Sequence, residues 1–121
     1  MVDRKEVIRQ YKQTLTPMGV YQIRNQANGR IFIGSSKNLP GKLNSCRFQL
    51  IHGSFINREL QNEFNEYGES SFSFDVLDQL QPKDEPDHDY TEDLKLLEEM
   101  WLDELQPWDD KGYHKRRTPR G

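Results

Sequence analysis

Residues 18–26, MGVYQIRNQ, and residues 30–36, RIFIGSS, decide the fold. Both runs are rich in β-branched and aromatic side chains, and Asn28-Gly29 lies between them. Asn-Gly supplies the positive φ angles that a tight hairpin turn needs, so antiparallel strands are predicted at about 18–25 and 30–34. Tyr21 and Ile23 then share one face of the first strand. Ile31 and Ile33 share one face of the second, with Phe32 opposite.

Working outward, residues 41–52 read as a helix with Leu43, Phe48, Leu50 and Ile51 as core candidates. Pro40 suits its first turn and Gly53 its end. Asn57 can cap a second helix, with Leu60, Phe64 and Tyr67 spaced i, i+4, i+7 and Gly68 ending it. FSFDVL, residues 72–77, alternates Phe72, Phe74 and Val76 against polar or exposed positions and reads as a third strand. An acidic, Pro-punctuated loop fills 81–90. Thr91 then caps a helix carrying Leu94, Leu97, Trp101 and Leu105 on one face, closed by Pro107. Upstream, residues 3–12 can form a short helix capped by Asp3, with Val7, Ile8 and Tyr11 as its apolar stripe, ended by Thr16-Pro17. The predicted class is α/β (α+β): a small central three-stranded antiparallel sheet flanked by helices.

The whole chain, 121 residues, fits one domain, with an N-terminal helical extension over 1–16, a core over 18–114 and a basic tail over 115–121. Only 33% of residues are hydrophobic and 31% are charged, so the core is small; thirteen aromatic side chains argue against disorder. No apolar run reaches the roughly 20 residues of a membrane span, and MVDRKEVIRQYK has no apolar signal region. One Cys makes no internal disulfide and excludes a Cys-rich zinc module. A soluble, cytoplasmic protein with no membrane partner is expected.

The net charge of -3 hides a division. Residues 1–80 carry ten basic and eight acidic side chains, residues 81–110 two and twelve, and residues 111–121 five and none. The tail, KGYHKRRTPRG, can meet phosphate by releasing counterions, or it is simply a solvated end. The acidic stretch repels nucleic acid unless it faces away or binds a cation.

Phosphate loops of the Gly-rich Lys-Ser/Thr type, dinucleotide fingerprints and the His-Glu-x-x-His metalloprotease pattern are absent from the sequence. Cys46 and His52, six residues apart on one helix, lie on different faces, so Cys46 reads as a small packing residue. The polar run after the hairpin is more suggestive. Gly34 allows a close approach, and Ser35, Ser36, Lys37 and Asn38 offer hydroxyl, ammonium and amide groups to phosphate oxygens. Lys42 can neutralise a phosphate. Glu98 follows Leu97 and precedes Trp101 by three, which sets a carboxylate beside the packed stripe, where it can hold a hard cation or serve as a helix border residue.

In order, Gly19-Val20-Tyr21, Asn28-Gly29, Phe32-Ile33-Gly34-Ser35-Ser36, Asn38-Leu39, Gly53, Asn57, Leu60-Gln61, Tyr67-Gly68, Phe72 with Phe74, Glu98 before Trp101, and Gly112-Tyr113 resemble the GIY-YIG nuclease domain over about residues 18–114. The resemblance implies a metal-dependent endonuclease, a phosphodiesterase acting on DNA or another nucleic acid. It makes Tyr21 the tyrosine that helps activate water and Glu98 the ligand of one Mg²⁺ or Mn²⁺. Lys42 falls where the family has an arginine, Phe32 where it has a second tyrosine, Cys46 where it has a histidine and His114 where it has an asparagine. Lys42 keeps the charge but loses the two-donor grip of a guanidinium. Phe32 removes an acid–base or donor hydroxyl, a role worth about 10²–10⁴ in rate. His52 and His114 are the imidazoles available as substitutes.

Two readings follow. In the first, Tyr21, Lys42 and Glu98 are catalytic, Glu98 holds the metal, and Gly34, Ser35, Ser36, Lys37 and Asn38 position the strand. In the second, the fold persists as a catalytically degenerate module that holds nucleic acid through Lys37, Lys42, Arg47 and the tail. A protein-interaction role for the acidic 81–110 segment rests on charge alone. The catalytic reading requires Tyr21, Lys42 and Glu98 to converge on one open cleft beside the 34–38 loop.

Overall fold

The computed structural model describes residues 16–85 and 87–116. The helix expected over 3–12 and the tail beyond residue 116 lie outside the described residues.

The hairpin forms as expected, with β1 at Gly19–Asn25 and β2 at Ile31–Ser36. Tyr21 pairs with Gly34 and Ile23 with Phe32. Its turn differs from the two-residue type that Asn28-Gly29 suggests. Gly29 alone takes a positive φ, at 78°, and its N–H closes a four-residue loop on the Asn25 carbonyl at 2.7 Å. Asn28 uses its side chain instead, accepting the Arg30 N–H on Oδ1 at 3.0 Å. Asn25 Oδ1 likewise accepts from Ala27 N–H. Side-chain-to-backbone bonds of this kind let Asn organise a turn without the left-handed conformation.

The third strand, β3 (Phe72–Gln79), pairs antiparallel with the other edge of β1 and runs two residues longer than expected. The sheet order is β2-β1-β3, with a register shift between Val20 and Tyr21 on the β3 side. The central strand is the most buried, as β1's two-sided pairing demands.

Three helices surround the sheet: α1 (Leu39–Ile51), α2 (Arg58–Tyr67) and α3 (Thr91–Leu105). Asn38 starts α1 two residues before the predicted point, because its Oδ1 accepts the Gly41 N–H at 3.0 Å. Asn57 caps α2 through the Leu60 N–H as expected. At α3 the cap position is Tyr90, not Thr91. Asp89 accepts both the N–H and the hydroxyl of Thr91, so Thr91 enters the helix as its first residue.

The main core joins Tyr21 and Ile23 to Leu39, Cys46 and Leu50 of α1, Phe55, Leu60 and Phe64, Phe72 and Tyr113, with Phe32, Leu43 and Phe74 packed against it. A smaller cluster holds Met18, Tyr90 and Leu94. Two expected core residues, Phe48 and Ile51, stand outside it and are exposed, as are Tyr67 of the second helix's apolar spacing and Val76 of the third strand's alternation. The apolar residues of α1 occupy both sides of the helix. Leu39, Leu43, Cys46 and Leu50 fall at i, i+4, i+7 and i+11 toward the sheet, which leaves Phe48 and Ile51 turned away. Tyr67 lies in the last turn of α2, and Val76 on an edge strand. Among the described residues, no helix is long and apolar enough to cross a membrane.

Candidate active site

Tyr21 stands mid-β1 on the face covered by α1. Gly34 is directly opposite in register, and a Cβ there would overlap the phenol ring. The glycine is therefore what gives the ring its place. On its other side the Cys46 thiol donates to the Tyr21 hydroxyl at 3.9 Å. Lys42, one turn before Cys46 and exposed, is close enough for its charge to act on the thiol. The carboxylate of Glu98, half-buried on α3, is close enough to act on the phenol. Gly34 of β2 and Cys46 of α1 thus border the hydroxyl carried by β1, and the charge of Glu98 on α3 is felt there.

This meeting place is less open than the expected cleft. Tyr21 is only 3% exposed. Burial pushes its phenol well above the ordinary range, and the neighbouring Cys46 and the charge of Glu98 push further the same way. Burial also raises the Cys46 thiol, with the Tyr21 bond and the Lys42 charge opposing it. Both groups are neutral at pH 7. The physical cause is the helix lid: α1 seats Cys46 and Leu50 in the same core as the phenol.

In the 34–38 loop, Ser36 Oγ accepts the Asn38 N–H at 3.0 Å, and the Asn38 side chain caps α1. Lys37 reaches Asp89 at 3.3 Å. Asp89, which also accepts from Thr91, is held down to about 2, chiefly by the Thr91 bonds and then by Lys37. Arg47 pairs with Glu69 at 2.5 Å. The acidic partners Asp89 and Glu69 carry no local sequence signal that would link them to these cations.

Over residues 17–114 the chain matches the GIY-YIG catalytic domain. It belongs to the GIY-YIG family. It is 28% identical over 88 residues to the intron-associated endonuclease 1 of Enterobacteria phage T4, an alignment covering 72% of this chain and 32% of that protein. The chain thus spans about a third of that relative's length. Among solved structures it resembles the catalytic domain of the homing endonuclease I-TevI, with 25% identity and a TM-score of 0.66 over 79% of this chain and 95% of that one. A glutamate-to-alanine variant of the I-TevI catalytic domain gives 25% identity and a TM-score of 0.68, covering 85% and 98%. The three-stranded antiparallel sheet with its helices is the fold of that domain, and the chain is nuclease-like.

Two residues of this GIY-YIG domain that the sequence reading set apart from the family pattern meet in space. His114 stacks on Phe32 with ring centroids 4.9 Å apart and planes 16° apart. Its Nε2 accepts the Ile33 N–H at 2.8 Å. Next to it, the Tyr113 N–H reaches the Ile31 carbonyl at 3.0 Å. Residues 112–114 therefore cover the outer edge of β2, and His114 supplies the acceptor that a neighbouring strand would have given. Burial holds its imidazole below the ordinary value. With Nε2 accepting, the neutral ring carries its proton on Nδ1. His114 acts as an edge cap rather than an unattached base. His52, exposed at the end of α1, bonds the Phe48 carbonyl.

A polar hub missed from sequence closes the hairpin end. Glu63 of α2 accepts from Asn25 and Asn28 of the turn, from the Tyr113 hydroxyl and from Arg30. Arg30 also bonds Glu59 and the Gly112 carbonyl and lies 4.5 Å over the Tyr113 ring. Sequence separations of 29 to 82 residues hide this network from any local pattern.

Among the described residues, no group of three or more His, Cys, Asp or Glu side chains is gathered as for a metal. The donor chemistry suits a hard cation all the same. Mg²⁺ retains several waters and is commonly held by one or two carboxylates plus substrate phosphate, which matches one half-buried carboxylate, Glu98.

Proposed function

We propose that this chain is a divalent-metal-dependent endonuclease, hydrolysing phosphodiester bonds of DNA. The observation that carries the reading is that the charge of Glu98, 77 positions away in sequence, acts on the phenol that β1 and Gly34 hold in place. Its similarity to proteins that are endonucleases supports it.

Hydrolysis needs a deprotonated water, charge stabilisation at the pentavalent phosphate and support for the leaving oxygen. Lys42, exposed on α1, offers a cation to the phosphate. Tyr21 holds its proton tightly beside Glu98 and Cys46, so it can take a proton from water only once its own has passed to solvent, a loss that nearby positive charge favours. A divalent cation on Glu98 would provide that charge and Lewis acidity toward the phosphate. The family's second hydroxyl is missing at Phe32, which makes the reaction slow.

A second reading has its own observation. With Tyr21 buried and Phe32, Lys42 and Cys46 at substituted positions, the domain can serve as a nucleic-acid-binding module without cleavage. Incubation of plasmid with the purified protein and Mn²⁺, wild type beside Glu98→Ala, separates the two. Nicking by wild type alone supports the enzyme. Equal nicking by both, or a salt-dependent mobility shift with no nicking, removes it.

A further inference from the structure

Three large apolar side chains stand in solvent between residues 48 and 56. Phe48 is 62% exposed, Ile51 52% and Ile56 87%. On α1, at about 100° per residue, Phe48 and Ile51 point away from the Leu39, Cys46 and Leu50 side that meets the sheet. One face of the Phe48 ring lies on His52, with centroids 4.0 Å apart, and the side chain remains mostly in solvent. After α1 the chain turns at Gly53, and the Ser54 N–H returns to the Gln49 carbonyl at 2.8 Å. Ile56 is then fixed from both sides. Phe55 is buried against Phe32, and Asn57 both caps α2 and reaches the Tyr113 carbonyl at 2.9 Å. A side chain held out so firmly at a loop tip is presented to something.

Charge says to what. From Thr16 to Arg58 the chain carries six Lys or Arg and no Asp or Glu, whereas residues 59–110 carry two and eighteen. The apolar trio falls within this basic stretch of sequence, after Lys42 and Arg47 on the same helix and before the exposed Arg58 two residues beyond Ile56, while Arg30 and Lys37 of the stretch are paired with Glu59 and Glu63 and with Asp89. Arg47 has Glu69 as its present partner, an exposed pair that a phosphate can replace. Apolar wedges set among cations are how proteins unstack a base step and follow the bent duplex. Aromatic faces receive the freed base.

We propose that Phe48, Ile51 and Ile56 form a base-contacting wedge against duplex DNA, with Ile56 entering a base step and Phe48 stacking on the loosened base. The proposal rests on the nucleic-acid reading above and adds how the substrate is gripped. It places the grip on the outward side of α1, while Cys46 on the inward side meets Tyr21.

The test is a DNA duplex carrying 2-aminopurine, titrated in EDTA so that no cutting intervenes, with wild type, Phe48→Ser, Ile56→Ser and the double variant. All three positions are exposed, and circular dichroism melting checks that the variants remain folded. Wild type should raise the fluorescence on binding. The double variant should lose that rise and bind about tenfold more weakly, while its dependence on salt keeps the same slope, because the phosphate contacts remain. An unchanged rise and affinity in the double variant would overturn the wedge and leave the nuclease reading standing. Absence of any duplex binding by wild type overturns both. Self-association abolished by the double variant, with the DNA response intact, assigns the patch to a second copy and also overturns the wedge.

Discussion

The Cys46 thiol donates to the Tyr21 hydroxyl at 3.9 Å, and each group is buried in the core that α1 forms with the sheet. A weak donor is thus the polar partner of the residue proposed to activate water. Removing it strands a buried hydroxyl. Cys46→Ala is expected to cost about 1–3 kcal/mol in urea unfolding, whereas Cys46→Ser, which keeps a donor, costs less. Equal losses in the two variants would show that the thiol acts only by filling space.

Phe32, read from the sequence as standing at the family's second-tyrosine position, is only half-buried, edge-on to Phe55 and stacked on His114. Restoring the hydroxyl with Phe32→Tyr adds little volume. Nicking of plasmid with Mn²⁺ should rise by about 10²-fold, the lower end of what an acid–base or donor group contributes. Initial rates measured beside a Phe32→Tyr, Glu98→Ala double variant check the gain. A gain that survives loss of Glu98 would come from a contaminant or from another site.

The hairpin was legible because its constraints are local: β-rich runs, a turn with Asn and Gly, and a fixed alternation of faces. Element existence followed for the same reason, down to the Asn57 cap. Coverage was not legible. Periodicity tells which residues share a side of α1, but Leu43, Phe48, Leu50 and Ile51 point to more than one side, and only the tertiary fold says which side meets the sheet. At the site, the family pattern pointed to Tyr21 and Glu98, yet the burial of the phenol depends on Cys46 and Gly34, which come against its hydroxyl only in the folded chain. The His114–Ile33 bond spans 81 residues and leaves no trace in spacing.

Gly34 offers a direct check of how tightly Tyr21 is held. A methyl group at this position would overlap the phenol itself, with the ring walled in by β1 and α1. Because the ring cannot swing into solvent, Gly34→Ala should lower stability by about 1–3 kcal/mol as overpacking does. Nicking should fall more than the lost stability explains, since the hydroxyl proposed to activate water is displaced from the place that Gly34 gives it. The measurement pairs urea unfolding with nicking at a temperature where both proteins are folded. Full activity in a folded Gly34→Ala variant would separate Tyr21's position from the reaction.

His114 gives the domain a pH dependence. Burial lowers its folded pKa beneath the ordinary 6.5, and a protonated ring would lose the lone pair that accepts the Ile33 N–H. The folded state therefore binds this proton less readily than the unfolded chain. Its contribution to stability is complete above the unfolded pKa and is lost as pH falls through the folded one. Thermal midpoints should drop between about pH 7 and pH 5.5, ahead of most carboxylate titration. His114→Gln, whose amide oxygen can accept the same N–H, should flatten that drop. Parallel slopes for the two proteins would place the titration elsewhere.

The heaviest single loss is expected at Glu63. Its carboxylate, with the side chain 13% exposed, gathers donors from Asn25, Asn28, Arg30 and Tyr113. Arg30, 15% exposed, has the Gly112 carbonyl as another acceptor, and its Nε is buried without a partner among the described residues. Glu63→Ala would leave this guanidinium, a phenol and two amides short of an acceptor. A half-broken buried ion pair costs about 3–5 kcal/mol. Replacing both members, Arg30→Met with Glu63→Leu, removes the stranded charge, so the double variant should be less destabilised than the two single losses added together. Urea unfolding of all four proteins checks this. The same hub fixes residues 112–114 on β2, so Glu63→Ala should also shift the Ile33 amide resonance as His114 loosens. Additive losses with an unmoved Ile33 would mean that the hub and the β2 edge are independent.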